Sequence, residues 1–187
     1  MSRTYQNQIR QIPLLGPLVD CHLRDHADAL TQTFIVLLLS TAPLWLGGLV
    51  IYGVNTQNNL TLMEAFLRTM EHGELFMYGT ALLAPMFWVA LVDPPGARIF
   101  PSKIPHMVLI AIIELIASVF FGLIVAGNPV KPGFTFHLSV AVFWTSLFLL
   151  YLGTVYHSNR LPSASDAFKQ DETDFSKAYG EHRDERS

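Results

Sequence analysis

A single cysteine, Cys21, rules out a disulfide within the chain. Charge is scarce too: 14% of residues are Asp, Glu, Lys or Arg, against roughly 25% in soluble domains. The formal net charge is −3 and no basic patch stands out, which argues against direct nucleic-acid binding. Catalytic signatures are missing. There is no His-Glu-x-x-His, no Gly-x-Ser-x-Gly, no phosphate-binding glycine loop and no Cys-x-x-Cys. His22 and His26 stand four apart, a spacing that holds a metal on a helix, but no further ligands accompany them. They read better as a solvated or partner-facing helix end. No lipidation motif marks either terminus. An enzyme, a cofactor and a metal site are all unexpected.

What is abundant is apolar sequence, 51% of the chain, gathered into four runs rather than spread at core spacing. Thr33–Val54 has no charge. Leu75–Val92 is about the shortest stretch that spans a bilayer, Ile104–Ala126 spans comfortably, and Phe134–Tyr156 completes the set. The first run is not a cleaved signal peptide, because 32 polar-rich residues precede it and no Ala-x-Ala site follows. The expected fold is all-α: a four-transmembrane-helix integral membrane protein. Residues 29–157 form the membrane domain. Residues 1–28 and 158–187 are cytoplasmic segments too short for a second globular domain.

Lys and Arg placement sets the orientation. With the N-terminus inside, ten of the twelve lie on the cytoplasmic side and only Arg68 and Lys131 lie outside. Both termini are therefore expected in the cytoplasm. Asp93-Pro94-Pro95-Gly96 closes the second span, Pro101 and Pro105 frame the third, and Asn128-Pro129 with Pro132-Gly133 make an outer hairpin. Pro43 and Pro85 fall inside spans and read either as fixed bends or as hinges.

The first outer loop, 55–74, carries a short amphipathic helix. Leu62, Phe66 and Met70, with Met63 beside them, take one side, and Glu64, Arg68 and Glu71 the other, as expected for a helix lying on the membrane. Glu71, His72 and Glu74 then cluster where the chain enters the bilayer. They read as solvated interfacial charges, with a cation vestibule as the sharper alternative. Asn59-Leu60-Thr61 is a glycosylation sequon that matters only in a eukaryotic secretory pathway.

The third run carries one carboxylate at its middle, Glu114. At that depth it must face protein or water rather than lipid. Glu114, Ser118, Gly122 and Ala126 recur in steps of four, a stripe that allows close helix approach with a polar member bonding across the contact. Helix packing, within or between subunits, accounts for the stripe; ion or proton handling and ligand sensing are the active alternatives. His106 and His137 lie two turns or more from Glu114 and read as interfacial. Ile9, Ile12, Leu14, Leu15, Leu18 and Val19 form an apolar cluster that lies on the membrane surface or docks a partner. The tail beyond Pro162 alternates charge signs around Phe168, Phe175 and Tyr179, aromatics suited to anchoring a protein partner.

The patch Gly73-Glu74-Leu75-Phe76-Met77-Tyr78-Gly79-Thr80-Ala81-Leu82-Leu83-Ala84-Pro85 resembles a segment of small bacterial four-span proteins. In size and span count the chain is similar to KwaA, the membrane component of the Kiwa anti-phage system. That resemblance implies a homo-oligomer in the bacterial inner membrane that senses phage attack and works through a cytoplasmic, DNA-binding effector. It carries over no functional residue. The expected function is a non-enzymatic membrane sensor or scaffold that recruits a cytoplasmic effector. A small ion or proton channel built around Glu114, or an accessory subunit of a larger membrane complex, is the alternative.

Overall fold

A computed structural model describes residues 14–54, 60–71, 73–94, 97–127 and 131–161, together with 168–169, 172–173, 175–177 and 179. The described residues contain helices and no strand. A 3₁₀ turn, Gly16–Asp20, precedes α1 (Leu23–Val54), α2 (Leu62–Arg68), α3 (Glu74–Leu91), α4 (Lys103–Val125) and α5 (Pro132–Arg160). α1, α3, α4 and α5 are long and apolar enough to cross a membrane. The four apolar runs thus become four helices, with Pro43 and Pro85 inside continuous α1 and α3.

Helix ends depart from the apolar runs where polar residues find partners. α1 starts ten residues before Thr33. Asp25 accepts the His22 backbone N–H at 2.9 Å and caps the first turn, while Ala29 is fully buried. α5 continues past Tyr156 to Arg160, whose side chain is tied into the bundle. Thr61 and Glu64 close a reciprocal capping box at the start of α2. The Thr61 backbone N–H, donating to Glu64, holds that carboxyl below its usual range. Gly73 ends the turn before α3 with φ +86°, and a Cβ there would lie 2.8 Å from the Ile124 side chain, so both backbone and space require glycine.

α3 and α5 form the centre, and α1 and α4 each pack against both of them but not against each other. Half of the most apolar window of α5 is buried, against 17% for those of α1 and α4. The α3–α5 contact is close because small residues meet there. Ser139, Ser146 and Gly153 recur every seven residues along α5 and are buried. A Cβ on Gly79 of α3 would lie 3.2 Å from Ser146 Oγ, and one on Gly153 would lie 2.5 Å from Met86 Sδ. The two serine hydroxyls donate to backbone carbonyls of their own helix, Phe136 at 2.8 Å and Val142 at 2.9 Å, so they enter an apolar contact already paired.

Two apolar clusters fill the bundle. Phe76, Leu83, Ile110, Ile113, Ala117, Val142 and Leu149 join α3, α4 and α5. Ala29, Ala90, Phe100, Leu152, Val155 and Tyr156 close the end at which α1 begins and α5 finishes, with Leu15, Leu18 and Cys21 packed against them. Leu14, Leu15 and Leu18 therefore cover this chain's own bundle, and the Tyr156 hydroxyl donates to the Leu14 carbonyl. This part of the segment therefore packs on its own bundle while staying half-exposed; Ile9 and Ile12 lie outside the described residues.

Candidate functional site

An open groove of about 780 Å³ lies between α3 and α4. Thr80, Ala81, Ala84 and Phe87 supply one wall, and Ile110, Ala111, Glu114, Leu115 and Ser118 the other. The residues of each wall fall on one helical face at i, i+4 and i+7 or i+8. The groove stays open because alanines stand where larger side chains would fill the wedge between the helices. A smaller hollow of about 70 Å³ adjoins it, sharing Thr80 and Ser118 and reaching Phe76 and Phe121.

Glu114 is the twelfth of the 23 residues of α4, half-buried in the groove wall. Among the described residues its carboxylate has no hydrogen-bond or ion-pair partner. It is the only titratable side chain lining the groove. The Thr80 hydroxyl donates to the Met77 carbonyl at 2.9 Å and keeps its lone pairs available.

Of the rest of the stripe, only Ser118 reaches this site. Ser118 is exposed at the groove edge, and Gly122 and Ala126 are exposed beyond it; a Cβ on Gly122 would meet nothing within 4 Å. The buried face of α4 is His106, Ile110, Ile113 and Ala117 instead. Within one chain the small-residue contact is made by Ser139, Ser146 and Gly153 of α5 with Gly79, and their heptad spacing was the signal that could have found it. Neither His106 nor His137 lines the groove. His106 is buried against Phe100 and Tyr156 with Nδ1 3.3 Å from the Ser102 carbonyl, whereas His137 is exposed beside Phe136.

The remaining candidates separate. Glu71 is exposed on the turn after α2, and Glu74 heads α3, half-buried and partnered; His72 lies outside the described residues. α2 turns Ala65 and Phe66 inward, with Phe66 edge-on to Trp45 at 4.8 Å and over Gly48, while Leu62 and Met63 are exposed. Its apolar contact is thus with α1. His26 gives its Nδ1 to a 2.7 Å hydrogen bond with the Tyr151 hydroxyl, and His22 is exposed, so the two do not converge. Among the described residues no group of three or more His, Cys, Asp or Glu is placed to hold a metal. In the tail, Phe168, Phe175 and Tyr179 are all exposed, the last two stacked at 6.5 Å.

A polar node absent from the sequence-based expectations ties the bundle where α3 ends. Arg160 is almost fully buried and donates to Asp93 Oδ1 at 3.1 Å, to the Val92 carbonyl at 3.2 Å and to His157 Nδ1 at 3.3 Å, with its guanidinium 5.4 Å from the Phe100 ring centre. Lys103 donates to Asp93 Oδ2 at 3.0 Å and to the Leu91 carbonyl at 2.8 Å. The Lys103 hydrogen bond, reinforced by the Lys103 and Arg160 charges, holds the Asp93 carboxyl below the usual carboxylate range. The node joins the end of α3, the start of α4 and the end of α5. No protein-family model, curated protein or solved structure matches this chain.

Proposed function

We propose that this chain is a four-span protein of the bacterial inner membrane with both termini in the cytoplasm, a non-enzymatic oligomeric sensor or scaffold that docks a soluble effector through its tail. The observation that carries the reading is the set of exposed aromatic side chains in the tail. Phe168, Phe175 and Tyr179 are each more than two-thirds exposed, and the rings of Phe175 and Tyr179 stack at 6.5 Å. Exposed aromatics of this kind are the anchors that dominate protein interfaces. The ten-to-two distribution of Lys and Arg supports a cytoplasmic tail, and the resemblance to the Kiwa membrane component supports an anti-phage role. The lack of a catalytic signature supports a recruiting rather than a reacting protein.

A photo-crosslinking residue at Phe175 should capture a defined soluble protein in cells. Deleting the tail from Asp166 onward should abolish pull-down of that same protein with the membrane oligomer and leave the oligomer intact. A periplasmic signal from reporter fusions after Arg98 or at Ser187 would defeat the topology. The second reading, an ion or proton channel, is favoured by Glu114 standing unpartnered at mid-helix. Ion flux through purified protein in liposomes, lost in Glu114→Gln and retained in the tail deletion, would establish the channel in place of the scaffold.

A further inference from the structure

The α3–α4 groove has the size of a small-molecule site, where volumes of roughly 300–1,000 Å³ are usual. Its chemistry is one-sided. Alkyl and aromatic walls surround a single carboxylate, Glu114, that has no partner among the described residues. Among the described residues no Lys or Arg brings a counter-charge to that depth. Every Lys and Arg described in the bundle and its connections (Arg24, Arg68, Arg98, Lys103, Lys131 and Arg160) sits in a connection or within two residues of a long helix's end. A second copy packed on the groove would therefore offer Glu114 neutral donors, such as the exposed Trp144 indole, but among the described residues no Lys or Arg at that depth. Phe87 offers a partly exposed ring to the same space, and a cation over an aromatic face is attracted by the ring quadrupole.

We propose that the groove binds a monovalent organic cation with an apolar body, a quaternary onium or a lipophilic amine. The charge pairs with Glu114, the body covers Ala81, Ala84, Ala111 and Leu115, and an aromatic substituent or the onium centre lies against Phe87. A neutral ligand of the same shape forfeits the ion pair, and a dication leaves its second charge unmatched against the apolar walls. Because Glu114 is the only titratable lining group, protons compete with the cation for it, and affinity falls as the pH is lowered. The proposal rests on the reading that α4 lies in the bilayer and is independent of tail docking; the reporter fusions test the first without touching this site.

The test is binding of tetraphenylphosphonium to the purified full-length protein in detergent, by equilibrium dialysis. One saturable site per chain is expected. Glu114→Gln should weaken it roughly tenfold or more, Phe87→Ala several-fold, and Ala84→Leu, which fills the groove from the α3 wall, should abolish it. Glu114→Asp keeps the charge and should retain binding. Triphenylphosphine oxide, neutral and of similar shape, should compete at least tenfold less well. Unchanged affinity in Glu114→Gln, equal competition by the neutral compound, or no saturable binding by the wild type would each overturn the proposal. So would cysteines placed at Ala84 and Leu115 that cross-link quantitatively between copies, since a second copy would then occupy the groove. Circular dichroism of each variant separates lost binding from lost fold.

Discussion

Gly79 and Gly122 are both glycines in the interior of apolar helices, yet leucine in their place should have opposite consequences. At Gly79 a Cβ alone would stand 3.2 Å from Ser146 Oγ, 3.3 Å from Val142 Cγ1 and 3.5 Å from the Phe143 Cα. The last of these is backbone, which cannot rotate aside, so the rest of a leucine side chain must push α3 and α5 apart. Overpacking of this kind costs about 1–3 kcal/mol, and loss of contact along Ser146 and Gly153 places Gly79→Leu toward the top of that range. At roughly 2–4 °C per kcal/mol for a chain of this size, the melting temperature should fall by several degrees. At Gly122 no atom lies within 4 Å of a Cβ, and replacing glycine in a helix relieves about 1 kcal/mol of propensity penalty. The monomer should therefore tolerate Gly122→Leu. Thermal unfolding in detergent, followed by circular dichroism with oligomer size measured in parallel, distinguishes the cases. Equal melting temperatures for wild type and Gly79→Leu would refute the close α3–α5 contact. A lower melting temperature for Gly122→Leu in a species that is monomeric before and after the change would refute the placement of Gly122. Loss of an oligomer in Gly122→Leu alone would locate the stripe between subunits.

Three further outcomes follow from the polar contacts. Arg160→Lys keeps the charge but loses the planar fork that serves Asp93 and Val92 together, so hydrogen exchange should speed up across 97–103 and stay unchanged across Phe76–Leu83. Asp93 titrates lower in the folded chain than in the unfolded one, so its stabilising contribution is complete above about pH 3.9 and is lost as the pH falls through the lower folded value. The stability difference between wild type and Asp93→Asn should accordingly shrink only below that pH, and a difference that stays constant down to pH 2 would contradict the node. Tyr151→Phe and His26→Phe should each destabilise by about 1 kcal/mol and the double variant by little more, a coupling read from a double-mutant cycle in chemical denaturation.

The four long helices were legible because each is an uninterrupted apolar run bounded by prolines, glycines or charges, and that pattern does not depend on what the helix packs against. The ends were less so. The ten residues before Thr33 mix helix formers with three charges, and their contacts with α5 and the Phe100–Tyr156 cluster, through His26 and Ala29, hold them in one helix with the run that follows. The Asp93–Arg160 pair joins residues 67 apart in the chain. Neither has a local signature, since an Asp before prolines and an Arg after a span are what any helix end contains.

Sidedness was the hardest property to read, and α4 shows why. A soluble helix announces its buried face by polar residues on the other, but α4 is apolar all round, so burial leaves no period in the sequence. The only contrast it offers is the step of four through Glu114, Ser118, Gly122 and Ala126, and small residues with one polar member are the usual mark of a helix contact. α5 carries the same kind of signal at a spacing of seven, weaker to the eye because Thr145 and Thr154, also small and polar, fall off the stripe. In the folded chain the contact goes to α5, whose serines enter it already paired with their own carbonyls. A carboxylate has no such internal solution: a helix leaves no free backbone donor beside residue 114, so Glu114 needs a donor or cation from elsewhere. Its position on an open wall is therefore coherent with the packing of α3 on α5. The helix face whose polar groups satisfy themselves is buried within the chain, and the face whose polar group requires a partner is left accessible to one.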